Sequence, residues 1–121
     1  MIKFFKPNTI LLMKTILCTT PVDHLNGIKK KLKNFGELIY KPNINSIELK
    51  QLLNKNKKIN YIFCNPNRQG YVLDKKILKN SSIKYINTAS TGTNHINLLD
   101  CKKLQIKVIS LAKDFDLLNQ L

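Results

Sequence analysis

The chain has no tryptophan, a single arginine (Arg68) and only seven acidic residues, set against 21 Lys and Arg in 121 residues. No apolar run is long enough to cross a bilayer as a helix, which excludes a spanning segment of that kind. Cysteine is scarce and odd in number: Cys18, Cys64 and Cys101 are widely spaced among apolar neighbours. That pattern argues against a disulfide framework or a zinc site and for reduced thiols in a cytoplasmic protein. There is no G-x-G-x-x-G, no P-loop and no G-x-S-x-G, so the usual signatures of dinucleotide, nucleoside-triphosphate and nucleophile-elbow chemistry are missing. A phospho-receiver domain needs acidic residues after its first strand to hold magnesium; those positions are Cys18, Thr19 and Thr20.

The excess of lysine gives a formal net charge of +14, the kind of balance that points to nucleic acid or an anionic surface. A simpler source is available. Lys, Asn and Ile are abundant, all have A/T-rich codons, and 20 of the 21 basic residues are Lys. Along the sequence the lysines look scattered among helices rather than gathered in a stripe, and few aromatics are interleaved with them. The expectation is therefore no nucleic-acid partner and no membrane, with a basic nucleic-acid accessory protein as a third-ranked reading.

What is present is a globular composition, 43% apolar and 23% charged, of one domain's length. Lys3 and Lys6 ahead of an apolar stretch resemble a weak signal peptide, but Lys14 breaks the run and no small-residue cleavage site follows. Met13 reads as a natural start, with residues 1–13 as an N-terminal extension and 14–113 as the domain. Short strands are expected at Thr15–Thr19, Glu37–Tyr40, Ile59–Cys64, Lys84–Thr88 and Ile106–Leu111. Helices are expected at Asp23–Asn34, after Asn45, at Leu73–Leu78 and from Asn97 to Lys103. Gly36 ends the first helix, and Asn45 with Glu48 forms a capping box for the second. This alternation specifies an α/β fold: a flavodoxin-like, five-stranded parallel sheet with helices on both faces and strand order 2-1-3-4-5.

In such a sheet, ligands bind at the carboxyl ends of the strands. Three loops gather there: Thr19-Thr20-Pro21, Asn65 to Gly70, and Ser90 to His95. Gly92 permits backbone geometry that a larger residue resists. Successive N–H groups beside a helix N-terminus favour an anion such as a carboxylate, and Arg68 adds a cation. On spacing alone, ordinary turns account for these loops, and an anion site is the alternative. His95 has no acidic residue placed to orient it as a general base and reads as a loop or capping residue. His24 reads as a surface residue.

The segment Tyr85-Ile86-Asn87-Thr88-Ala89-Ser90-Thr91-Gly92-Thr93-Asn94-His95-Ile96-Asn97, followed by Cys101-Lys102-Lys103-Leu104-Gln105-Ile106-Lys107-Val108, resembles the D-isomer-specific 2-hydroxyacid dehydrogenases, to which phosphoglycerate dehydrogenase belongs. Their pattern is a strand, a loop of the type G-T-G-x-D-x-I-D, a helix and a further strand. Ser90, Asn94 and Asn97 stand here where that pattern has Gly, Asp and Asp. Asn65-Pro66-Asn67 does not match the loop that grips phosphate in phosphoglycerate dehydrogenases.

The resemblance implies the N-terminal part of a flavodoxin-like substrate-binding domain. It implies that Thr91, Gly92 and Thr93 bind the substrate carboxylate and that Asn65, Asn67 and Arg68 face the substrate. The substrate would be a small 2-hydroxy or 2-oxo acid, and the cofactor of the complete enzyme NAD. The complete enzyme would be a homodimer. Residues 114–121 would begin a linker helix toward an NAD-binding domain that lies, with the catalytic Arg, Glu and His, beyond Leu121. No residue of this chain is assigned a catalytic, cofactor-binding or metal-binding role, and the chain alone is expected to be inactive. The competing expectation is a stand-alone module that binds a small carboxylate without catalysis.

Overall fold

The structure, a computed structural model, describes residues 14–25, 27–65, 70–88 and 93–110; the expected extension and linker lie outside the described residues. Within them the order is β1 (Thr15–Cys18), α1 (Ile28–Phe35), β2 (Glu37–Tyr40), α2 (Ser46–Lys55), β3 (Ile59–Cys64), α3 (Lys75–Leu78), β4 (Tyr85–Thr88), α4 (Leu98–Lys103) and β5 (Lys107–Ser110). All strand pairs are parallel, and the sheet order is β2-β1-β3-β4-β5. This is the strand order expected from the sequence.

Burial tracks position in the sheet. Central β1 is buried throughout and β3 nearly so, whereas β2 and β5 each begin on an exposed residue. A parallel strand covered on both faces reads as a continuous apolar run, which is why Ile59 to Cys64 is legible as a strand. One face of the sheet packs Leu17, Ile62 and Ile86 against Leu49 and Leu53 of α2, Ile77 and Leu78 of α3 and Cys101 of α4. The other packs Ile16, Cys18, Tyr61 and Phe63 against Leu32 of α1, with Ile28 and Phe35 beside it. Helices therefore cover both faces, among the described residues three on one side and one on the other.

Two helices start later than the sequence pattern indicates. The first was expected from Asp23 and begins at Ile28, behind Gly27 in a left-handed conformation at φ 83°. The intervening residues are held differently: the Val22 N–H donates to Tyr40 Oη at 2.9 Å, Tyr40 Oη donates to Asp23 Oδ2 at 3.3 Å, and Lys29 pairs with Asp23 at 3.2 Å. Leu25 is left 43% exposed outside the helix. The third helix was expected from Leu73 and begins at Lys75, because Leu73 is committed to a parallel bridge with Ile96. The capping box forms as expected: Glu48 N–H donates to Asn45 Oδ1 at 2.8 Å, and Asn45 N–H donates to Glu48 Oε1 at 3.1 Å.

Gly36 has a steric role. A Cβ on it would lie 2.3 Å from the carbonyl oxygen of Lys14. The turn from α1 into β2 passes directly over the start of β1, where the Glu37 N–H donates to that carbonyl at 2.9 Å. Only a residue without a side chain lets the two backbones come this close.

Candidate functional site at the carboxyl edge

After β2 the chain returns past β1 and continues on its other side, so the winding reverses between β1 and β3. At that switch point, the loops leaving two neighbouring strands diverge to opposite faces and open a crevice. Thr19 and Thr20 leave β1 on one side of it, both buried. The Thr19 N–H donates to the Phe63 carbonyl at 3.0 Å, tying the two strand ends together. Asn65, half-buried, leaves β3 on the other side.

The expected substrate loops depart from adjacent strands. Cys64 at the end of β3 is in register with Thr88 at the end of β4. Asn65 directly follows the first, and half-buried Thr93 belongs to the loop after the second. Asn67, Arg68, Thr91 and Gly92 lie outside the described residues.

The described ends of the two loops are laced to each other. The Leu73 N–H donates to the His95 carbonyl at 2.8 Å and the Asn97 N–H donates to the Leu73 carbonyl at 2.9 Å, which makes the Leu73–Ile96 bridge. The Ile96 N–H closes a turn onto the Thr93 carbonyl at 3.0 Å. Asn97 caps α4, its Oδ1 accepting from the Asp100 N–H at 3.0 Å. The last described residues of the β4–α4 loop are thus held by a turn, a two-strand bridge and a helix cap within five positions.

His95 is a loop residue, as its sequence context indicates, but a buried one. It is 6% exposed, with Nε2 3.5 Å from Cys64 Sγ. Burial lowers the imidazole pKa and raises the Cys64 thiol pKa. Both shifts disfavour a thiolate–imidazolium pair, so the contact is neutral packing and hydrogen bonding rather than an activated nucleophile. The bridge and the buried imidazole were missed by sequence reasoning. The one signal was Tyr71-Val72-Leu73, an apolar, strand-like triplet in a stretch otherwise read as a helix start.

All three cysteines are free and buried; Cys64 closes β3 as expected, and Cys18 closes β1 one residue before the expected Thr19. Burial pushes the Cys101 thiol up to about 11. Among the described residues no cluster of three His, Cys, Asp or Glu is placed to hold a metal ion, and no helix is long and apolar enough to cross a membrane. Nor do the described residues fit a dinucleotide. Gly27, Gly36 and Gly70 each stand alone, and the β1–α1 connection is filled by the Val22–Tyr40–Asp23 contacts rather than by a glycine-rich cradle.

No family model matches the sequence, and no curated protein matches it. Solved structures do. A glyoxylate reductase from Paecilomyes thermophila superposes with a TM-score of 0.68 at 15% identity, over 80% of this chain and 31% of that one. Rhodotorula graminis D-mandelate dehydrogenase gives 0.64 at 16%, over 86% and 32%. D-lactate dehydrogenase from Escherichia coli gives 0.60 at 18%, over 80% and 30%. The chain spans about a third of the length of these structures. What it shares with these D-isomer-specific 2-hydroxyacid dehydrogenases is the fold: a five-stranded parallel α/β unit.

Proposed function

We propose that this chain is the substrate-domain part of an NAD-dependent oxidoreductase acting on the CH–OH group of D-2-hydroxy acids, without turnover of its own. The observation that supports it most is the coincidence of two independent features. The sequence stretch Ser90 to Asn97, which resembles the dehydrogenase substrate loop, leaves a strand at the carboxyl edge of a fold shared with D-2-hydroxyacid dehydrogenases. Backbone N–H groups of Thr91, Gly92 and Thr93 would receive the substrate carboxylate, as oriented donors in a loop ahead of a helix receive anions. Asn65, Asn67 and Arg68 would flank it from the neighbouring strand, Arg68 as the charged partner.

NAD belongs to the complete enzyme in this reading. Hydride transfer needs a positioned nicotinamide and is assigned, with NAD, to the rest of that enzyme. Homodimerisation likewise belongs to the complete enzyme.

The test is titration of the isotopically labelled chain with a small 2-oxo acid, followed by amide resonances. Thr93, Asn94 and Asn65 are expected to shift while the lysine-rich helix α1 does not. No shift at millimolar ligand would overturn the carboxylate site. NADH oxidation by the isolated chain in the presence of the same acid would overturn the claim that it has no turnover.

A further inference from the structure

The lysines that look scattered in the sequence are gathered by the fold. In a parallel α/β sheet every helix-to-strand connection returns to the amino edge. Three such connections, α2–β3, α3–β4 and α4–β5, lead into adjacent strands. They read Lys55-Asn-Lys-Lys58, Lys79-Asn-Ser-Ser-Ile-Lys84 and Lys102-Lys-Leu-Gln-Ile-Lys107, eight lysines with no acidic residue among them. All eight are exposed.

The backbone fixes their juxtaposition. The Lys84 N–H donates to the Asn60 carbonyl and the Lys107 N–H donates to the Lys84 carbonyl, each at 2.9 Å, so the starts of β3, β4 and β5 lie side by side. Neighbouring strands are about 4.8 Å apart. The Lys57 ammonium donates to the Asn80 carbonyl, which joins the first connection to the second.

Among the described residues, acidic side chains are sparse around these three connections. Of the described ones, Asp23, Glu48, Asp74 and Asp100 stand in loops or first turns after strands, and of these Asp74 and Asp100 share a hollow with Lys79. Glu37 starts β2, beyond β1, and accepts a hydrogen bond from Thr15 Oγ1 at 3.4 Å. The only ion pair among the described residues is Lys29–Asp23, so none of the eight lysines is neutralised there.

Helix termini account for part of this arrangement. A cation is favoured at a helix C-terminus, which covers Lys55, Lys102 and Lys103. It does not cover Lys58, Lys84 and Lys107, which immediately precede or open strands and have no carboxylate partner among the described residues.

We propose that this amino edge binds the phosphate backbone of a nucleic acid without reading its bases. Lysine, asparagine, serine and glutamine are the side chains that contact phosphate and sugar. Asn54, Asn80, Ser82 and Gln105 stand among the lysines, and no aromatic residue of these connections is available to stack on bases. A membrane surface fits less well, because docking there needs apolar side chains on the basic face. The exposed large hydrophobics, Leu25, Ile47, Val72, Leu98 and Leu99, all lie toward the carboxyl edge. The surface is separate from the proposed substrate loops and stands or falls independently of them.

The experiment is fluorescence anisotropy of the full chain with a labelled DNA duplex of mixed sequence, from about 20 to about 200 mM salt. Binding is expected at low salt, with the logarithm of the affinity falling linearly with the logarithm of salt and no preference between two unrelated sequences. The triple substitution Lys58→Glu, Lys84→Glu, Lys107→Glu should lower affinity more than about tenfold and flatten the slope by about 2.7, near 0.9 for each contact removed. A control triple of equal charge, Lys30→Glu, Lys31→Glu, Lys50→Glu, should change affinity far less, with thermal unfolding confirming that both variants are folded. Equal losses in the two triples would show that only net charge matters and would overturn the proposed surface. So would absence of binding at the lowest salt, or binding to phosphatidylserine vesicles in place of the duplex.

Discussion

The two faces of the sheet are made of different chemistry. The face under α2, α3 and α4 is almost entirely aliphatic; its buried members are Leu, Ile and Cys. The face under α1 carries Tyr61, Phe63, Phe35, Tyr40 and Tyr85 in or against its cluster. Phe35 meets Tyr61 edge-on at 5.4 Å, and Tyr61 lies 5.9 Å from Tyr85. Polar atoms are also buried on this second side: Asn87 Nδ2 donates to Tyr61 Oη at 2.9 Å, and the Lys14 ammonium sits over the Tyr85 ring at 4.1 Å. A thick helical layer lets one face be filled by shape alone. Among the described residues a single helix lies over the other, and large rings and polar pairs do more of the covering there.

The largest expected difference between the faces comes from cutting into the aliphatic one. Ile86 is fully buried in central β4, and Ile86→Ala should cost about 2–5 kcal/mol, the transfer loss plus the cavity left under three helices. Urea denaturation with an unchanged m-value is the measurement. A cost below about 1 kcal/mol would mean that α3 and α4 collapse into the gap and that this face is looser than it looks.

Tyr61→Phe tests the other face by removing one oxygen. The carbonyl oxygen of Asn87 is already buried without a hydrogen-bond partner among the described residues, and the substitution would strand its amide donor as well. The expected cost is about 1–3 kcal/mol, the price of a buried donor left unmade. Removing both partners in Tyr61→Phe with Asn87→Leu should recover part of it. If the double variant is no better than the single one, the ring oxygen and the amide are not coupled, and the polar pair is incidental to this face.

Much of the fold was legible because local signals agreed with one another. β2 and β3 match their expected bounds, Asn45 caps α2 through the box with Glu48, and Asn97 caps α4. The strand order follows from alternating elements and right-handed crossovers. The failures were tertiary. Nothing local shows that Tyr40 reaches back to Val22 and Asp23 and delays α1, or that Leu73 pairs with Ile96 across 23 residues. His95 is the loop residue it looked like, but its burial was not legible because its partner, Cys64, is 31 residues away. The lysines looked scattered because the sequence does not display that three separate connections return to one edge. Of the proposed substrate contacts, Asn65 directly follows β3 and Thr93 belongs to the loop after the adjacent β4.

Each face also buries one nitrogen base, and these two should respond to pH in separate windows. His95 lies on the aliphatic side, where burial lowers its pKa below the ordinary 6.5. The unfolded chain then binds that proton more readily than the fold. Stability is fully present above about 6.5 and is lost as the pH falls through the lowered native value. Urea midpoints at about pH 5 and about pH 7.5 should differ by more in the parent than in His95→Asn. Equal pH sensitivity in the variant would assign the acid loss to carboxylates instead.

The smallest effect is expected at Lys14, on the aromatic side. It is 6% exposed, with Tyr85, Phe35 and Tyr61 rings at 4.1, 5.5 and 5.9 Å from its ammonium. Burial lowers its pKa from the ordinary 10.5. Between the lowered native value and 10.5 the unfolded chain holds more of this proton, so the unfolding free energy should rise with pH across that window. The rise is limited from above by Tyr61. Burial raises its phenol pKa, so its ionisation in the unfolded chain costs the fold stability beyond about pH 10. It is limited in size by the rings, whose faces attract the cation and offset part of the desolvation. Lys14→Met keeps the stem in its aromatic setting without the charge, and the rise between about pH 8 and about pH 10 should flatten in that variant. If the variant loses stability at neutral pH by more than the pH-dependent part it removes, the cage holds the ammonium as a favoured guest. The aromatic face would then be organised around the cation rather than merely tolerating it.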